Sequence, residues 1–160
     1  MNERQIILTV DCFIRRGDKY LMLHRNPNKR ILPDILIAPG GKLEPNEGVI
    51  EASKREVFEE TKIEITNIAV KAVGIARLES LQEEVCIHIV TADYISGELK
   101  TSNSDGMFEW YSLTEILAHP KLLAEMKTIA PLVLDPNQPF ISYKVTYDKN
   151  NQLTDLVIEQ

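Results

Sequence analysis

A double glycine leading into a charged helical run constrains this chain more than any other feature. Gly40-Gly41 is followed by Lys42, then Glu47, and then Arg55-Glu56-Val57-Phe58-Glu59-Glu60-Thr61-Lys62-Ile63. From about Gly48 to Thr61 there is no proline, and Val49, Ile50, Ala52, Val57 and Phe58 recur at mixed helical spacing among charges. This predicts a helix of about four turns. Positions three and four apart are neighbours on a helix, so Glu56 faces both Glu59 and Glu60. Like charges so placed destabilise a bare helix by roughly 0.2–0.5 kcal/mol per pair, and a bound divalent cation reverses that cost. Magnesium favours hard oxygen ligands and shares its shell between one or two carboxylates, water and substrate phosphates. The run therefore reads as a magnesium site that manganese could also fill.

The glycines fit a backbone that turns sharply at positive φ and comes close to metal or phosphate. Lys42 is placed to meet a phosphate oxygen as a point charge. Arg55 can pair with Glu59 at i,i+4, or with Glu47 across the loop, and so hold carboxylates in place. The plain alternative for the glutamates is an exposed helix face covered with solvated charge. The joint spacing argues against it, since such a set of specified positions recurs by chance on the order of once in ten million windows.

Around this run the chain alternates strands and helices. Gln5 to Ile14 and Lys19 to His24 are rich in β-branched and large apolar residues, and Arg15-Arg16-Gly17-Asp18 supplies a turn between them. Arg25 to Ile37 is loop-like, with Asn26-Pro27-Asn28 and Leu32-Pro33-Asp34. Ile65 to Ala76, Val85 to Ile95 and Phe108 to Leu113 read as strands. Ser112-Leu113-Thr114-Glu115 looks like a capped helix start, and Lys121 to Leu134 like a further helix. Phe140 to Asp148 and Leu153 to Glu159 close the chain as a hairpin turning at Lys149-Asn150-Asn151. No repeat or linker is visible, so a single mixed α/β domain spanning 1–160 is expected.

The length of 160 residues suits one core. A net charge of −6 disfavours the basic patch that a grip on polymeric nucleic acid needs. A small phosphorylated partner remains compatible, because metal ions neutralise it locally. Cys12 and Cys86 lie in apolar, strand-like stretches without paired-ligand spacing and read as free buried thiols. No window approaches a membrane span and the N-terminus lacks a long apolar core, so a cytoplasmic location is expected.

The pattern at Gly41, Glu47, Arg55, Glu56, Val57, Glu59, Glu60 and Ile63 resembles the Nudix box of the MutT/Nudix family. One position departs, Lys62 standing where the family usually has glycine, next to the end of the helix. The resemblance implies an α/β/α sandwich with a mixed central sheet and a loop-helix-loop catalytic motif. It also implies that Glu56, Glu59 and Glu60, with the Gly40 carbonyl, hold magnesium, and that Glu47 and Arg55 brace the loop and helix. Gly41 and Lys42 would then meet the substrate phosphates; Arg25 could reach a phosphate too, the alternative being a solvated loop arginine. Either Glu56 or a carboxylate from a later loop would act as general base, and Asp105, five residues before Trp110, is the candidate; the alternative for Ser104-Asp105-Gly106 is a simple turn.

The C-terminal pattern from Pro139 to Glu159, together with Asp105-Gly-Met-Phe-Glu-Trp110, resembles nucleoside triphosphatases that hydrolyse oxidised purine nucleotides. That implies a nucleoside triphosphate cut to monophosphate and pyrophosphate, with Trp110 either core or base-facing and Glu125 left from a distal acidic pair. Leu36 and Ile37 stand where a related purine reader places a tryptophan and an amide. Leu78 stands where ADP-ribose hydrolases often carry proline, and 79–84 lacks the tyrosine of dinucleoside polyphosphate hydrolases. The alternatives are an ADP-ribose or other nucleotide-conjugate pyrophosphatase, and a non-catalytic nucleotide-binding regulator. Either a monomer or a homodimer fits.

Overall fold

Period-two alternation builds the first hairpin of the computed structural model, which describes residues 5–81 and 83–159. In β1 (Ile6–Arg16) Val10, Cys12 and Ile14 are buried on one face and Phe13 on the other. β1 pairs with β2 (Lys19–Arg25) across a turn in which Gly17 takes φ 64°, so the turn is tighter than the four residues expected. Two short strands come from the loop-like stretch and its end: β3 (Leu36–Ile37) pairs with β2, and β4 (Gly40–Lys42) with β1.

The chain continues through α1 (Val49–Thr61), β5 (Glu64–Leu78), β6 (Glu83–Ser96), β7 (Ser102–Asn103), β8 (Gly106–Ser112), α2 (Leu113–Ala118), α3 (Met126–Val133), β9 (Ile141–Tyr147) and β10 (Leu153–Glu159). The strands form one mixed sheet in the order β10-β9-β5-β6-β1-β2-β8-β7. β1 runs parallel to β6 and β5 parallel to β9, while the other pairs are antiparallel. Register shifts bend β5 between Thr66 and Ala72, where Asn67 takes φ 51°.

Each face of the sheet carries its own apolar layer. Ala52 and Val57 of α1, with Ile63, cover Val10, Cys12, Ile14, Leu21 and Val90. On the other side Ile116 of α2 and Met126, Ile129, Ala130 and Val133 of α3 cover Phe13, Met22, Ile89 and Tyr143. Helices on both sides of a mixed sheet make the expected α/β/α sandwich. Each fully buried aliphatic side chain contributes about 1.5–3 kcal/mol to holding the layers together.

The end of α1 answers the question raised by Lys62. This residue takes the left-handed conformation itself, at φ 64° and ψ 14°, and its N–H donates to the Phe58 carbonyl, so the helix ends as it would with glycine. Ser112 and Glu115 form the reciprocal cap that opens α2. The helix expected from Lys121 begins five residues later. Leu36 N–H donates to the Lys121 carbonyl at 2.7 Å and Leu123 N–H to the Leu36 carbonyl at 3.1 Å, which holds 121–123 extended beside β3. Cys12 and Cys86 are free, the first buried and the second half-buried. Among the described residues no helix is long and apolar enough to cross a membrane.

Candidate active site

Beside β1 and β4 the structure opens a cavity of about 580 Å3, within the range of small-molecule sites. At one end its wall is formed by Gly40, Gly41 and Lys42 of β4 and by Glu56 and Glu60 of α1. The double glycine is there for room, not for a left-handed turn: neither Gly40 nor Gly41 has positive φ, which corrects the expectation from sequence. A Cβ on Gly40 would overlap the Val10 carbonyl oxygen, and one on Gly41 would overlap the carboxyl group of Glu56. Glycine at 41 therefore lets a carboxylate lie directly against backbone.

Arg55 locks this end together. Its Nε and Nη2 donate to the two carboxylate oxygens of Glu47 at 2.6 and 2.8 Å, and Nη2 also donates to the Lys42 carbonyl at 3.0 Å. Nη1 donates to Glu56 at 2.9 Å and to Glu59 at 3.2 Å. Both pairings foreseen for Arg55 thus occur at once. Glu47 also accepts the Glu44 N–H at 2.8 Å, and the Arg55 fork is the main reason its carboxyl is held down at about 2. Burial raises the Glu56 carboxyl above its usual range, with Arg55 opposing and Glu59 and Glu47 adding to the rise.

The three helix glutamates do not act alike. Glu59 is turned to Arg55, its side chain 59% exposed, and does not line the cavity, which corrects the picture of three carboxylates crowding one surface. Among the described residues no group of three or more His, Cys, Asp or Glu side chains is gathered closely enough to hold a metal ion as placed. Glu60 supplies the test of whether a cation suits this end. Its Oε2 is buried with no hydrogen-bond partner among the described residues. Burial, then the charges of Glu56, Asp105 and Asp11, push its carboxyl up to about 8, opposed by a hydrogen bond from the Gly40 backbone. A buried carboxylate oxygen without a donor, crowded by other carboxylates, is what a divalent cation would satisfy, so Glu56 and Glu60 fit one.

Arg25 and Asp105 also line the cavity. Arg25 Nε donates to the Ile31 carbonyl at 3.1 Å. Asp105 sits in a turn, where Asn103 Oδ1 accepts its N–H at 2.7 Å, and its carboxylate pairs with Lys29, so the turn and a place in the cavity wall coexist. Glu125, only 2% exposed, lies at the N-terminus of α3, lines the cavity and accepts from the Tyr147 hydroxyl. Trp110 is placed elsewhere. It packs with the layer beneath α1, edge-on to Tyr94 with Arg16 above both rings, and does not line the cavity.

Asp11, Arg30 and Tyr147 are among the cavity residues that escaped the sequence reading. Burial, followed by the charge of Glu125 and offset by Arg25, pushes the Asp11 carboxyl up to about 7. Its signal was present, an acidic residue on the alternate face of an otherwise apolar strand, at the position paired with Gly40.

Comparison with known proteins places this architecture. A family model described as the NUDIX domain matches residues 6–133. An uncharacterized Nudix hydrolase, YvcI of Bacillus subtilis, is 29% identical over 109 residues, an alignment that spans 66% of this chain and 66% of that relative, just under two thirds of its length. A mutator MutT protein of Bacillus halodurans superposes with a TM-score of 0.83 at 24% identity, covering 96% of this chain and 97% of that one. A MutT protein of Methanosarcina mazei Go1 does so with a TM-score of 0.67 at 27% identity, covering 83% and 96%. The mixed sheet between helical layers is thus the fold of solved MutT proteins. The chain belongs to the Nudix family.

Proposed function

We propose that this Nudix protein is a magnesium-dependent hydrolase of nucleoside diphosphate-linked compounds, acting on a nucleoside triphosphate to leave a monophosphate and pyrophosphate. The observation that carries this reading is the end of the cavity where Glu56 and Glu60 meet the glycine-bared β4, with the Glu60 oxygen left without a donor. Glu56 and Glu60 would hold the cation, joined by Glu59 on release from Arg55 and by the Gly40 carbonyl. When bound, the cation supplies charge neutralisation for the phosphate chain and acidifies coordinated water.

The remaining work falls to side chains and backbone. Arg25 and Lys42, on the cavity wall, neutralise and orient phosphate oxygens. Arg55 fixes Glu47, Glu56 and Glu59 to the β4 loop, so their carboxylates are positioned before substrate arrives. Water adds to one phosphorus, the bridging P–O bond breaks, and the electron pair leaves on pyrophosphate. A carboxylate takes the water proton; Asp105, close enough to Glu60 to raise its affinity for protons, serves in this reading.

The test is a panel of nucleoside triphosphates, ADP-ribose and other nucleotide conjugates, assayed with and without magnesium, with products separated chromatographically and Glu59→Gln as a control. Monophosphate and pyrophosphate formed only with magnesium is the expected result. Faster cleavage of ADP-ribose than of every triphosphate would overturn the substrate ranking, and no cleavage of any compound would overturn the hydrolase reading.

A further inference from the structure

We propose that Arg30 clamps a terminal phosphate, and that through it the site prefers a nucleoside triphosphate to a nucleotide conjugate whose phosphates are bridged on both sides. The inference rests on the nucleotide reading above and names the residue that selects the substrate class within it. Arg30 is exposed, yet it lines the same cavity as Glu56 and Glu60 of α1. Its guanidinium makes no hydrogen bond or ion pair with any described residue. None of the carboxyl groups in the wall, Asp11, Glu56, Glu60, Glu83, Asp105 and Glu125, takes it up. The other guanidinium of the wall, Arg25, has its Nε committed to the Ile31 carbonyl at 3.1 Å. Arg30 therefore offers the cavity a whole fork of donors.

An arginine on an untethered loop is ordinarily a solvated surface charge, but loop 26–35 is tied down on both sides of Arg30. Just before it, Lys29 donates its N–H to the Asn26 carbonyl at 3.1 Å and pairs its ammonium with Asp105. Just after it, the Ile31 carbonyl is the acceptor for Arg25. The Asn26 N–H donates to the Asp105 carbonyl at 2.7 Å and the Arg25 N–H to the Ile35 carbonyl at 2.8 Å, while the Asp34 carboxylate is shared between His24 and Lys121. Between these ties Leu32 and Asp34 take φ 45° and 56°, a region that costs an L residue free energy. Such strain persists where surrounding contacts over-determine it, and it gathers at ligand clamps. The loop spends its neighbours on holding the backbone and leaves the Arg30 side chain unspent.

A guanidinium fork matches two oxygens of one phosphate, and charge-assisted pairs of this kind are the strong ones. A terminal phosphate group carries a charge of about −1.5 to −2 near neutral pH and three free oxygens. The phosphates of ADP-ribose are each bridged on two sides, so neither offers such an end. In a triphosphate the gripped group departs within pyrophosphate, which makes Arg30 a binding residue that orients the leaving group. Contacts of this kind, made before the reaction and kept through it, act on KM more than on kcat.

Calorimetric titration of the full chain with the α,β-methylene analogues of ATP and of ADP-ribose, in magnesium, tests the clamp without turnover. The two differ only in whether the second phosphoryl group carries a terminal phosphate or a ribose. The parent is expected to bind the triphosphate analogue about tenfold tighter. Arg30→Gln should weaken that analogue by about tenfold and the conjugate analogue by no more than about twofold, with Arg30→Lys, which keeps the charge and loses the fork, in between. The lysine variant carries the test alone if the glutamine variant does not fold. In parallel, Arg30→Gln should raise KM for a cleaved triphosphate more than it lowers kcat. A parent that prefers the conjugate analogue, or variants that lose both analogues equally or neither, would overturn the clamp even if a triphosphate were hydrolysed. Selective loss of the triphosphate analogue without hydrolysis of any nucleotide would support the clamp and count against the hydrolase reading alone.

Discussion

Arg55 touches Glu47, Glu56, Glu59 and the Lys42 carbonyl from one planar group, and no ammonium can reproduce that fork. Arg55→Lys is therefore expected to lower kcat/KM about 10–100-fold, as loss of a group that orients metal-binding side chains does, while the fold is kept; steady-state kinetics alongside a melting curve would check it. Two carboxyls of the site, Glu47 and Glu60, respond to pH in opposite ways. Glu47 is depressed to about 2, so the stability it contributes is complete above the ordinary carboxylate value and lost only as pH falls toward 2. Glu60 is raised to about 8, so cation-free protein loses stability as pH climbs from about 4.5 through 8. Melting temperatures across that window in chelator should fall less steeply in Glu60→Gln than in the parent, and identical slopes would refute the account of Glu60. The helical spacing of Glu56, Glu59 and Glu60 was readable because side-chain direction follows from period 3.6. Which of them turns toward Arg55 depends on the loop carrying Glu47, and that contact across the chain has no period to betray it.

At the scale of elements, α1 is held at both ends by conformations that its sequence only half announces. Lys62 sits left-handed at the helix end, where an L side chain is strained and glycine is not. Lys62→Gly should stabilise the protein by about 0.5 kcal/mol in urea denaturation, the relief being partly offset by glycine's greater chain entropy and by the loss of the Lys62 ammonium over the Phe58 ring at 5.2 Å. A destabilised variant would contradict that reading. The paired glycines of β4 should respond differently from each other. Gly40→Ala forces a methyl into the Val10 carbonyl and should cost about 3 kcal/mol or more, whereas Gly41→Ala pushes on the Glu56 carboxyl and should abolish activity at a smaller cost in stability. The late start of α3 shows where local reading fails: Lys121-Leu122-Leu123 has helical propensity, but hydrogen bonds to Leu36, distant in sequence, hold it extended.

For the whole molecule, strand and helix order was largely legible because β1 is a run of apolar, β-branched residues, β9 alternates strictly between buried and less buried positions, and α1 spaces its buried residues along a helix. The parallel pairing of β1 with β6 and of β5 with β9 was not, since pairing partners are chosen by the sheet and not by either strand. The same limit hid Asp11. Its neighbours in sequence are apolar, and it became a cavity residue only when β4 and α3 closed around that face. What unites the site is one cavity lined by Glu56 and Glu60 of α1, Asp11 of β1 and Glu125 at the start of α3. The most direct test of the central claim is pyrophosphate release from a nucleoside triphosphate by the parent chain and by Glu56→Gln at saturating magnesium. The expected result is magnesium-dependent turnover that falls by roughly 100-fold or more in the variant. Turnover within about threefold of the parent, or undiminished when magnesium is removed, would contradict it.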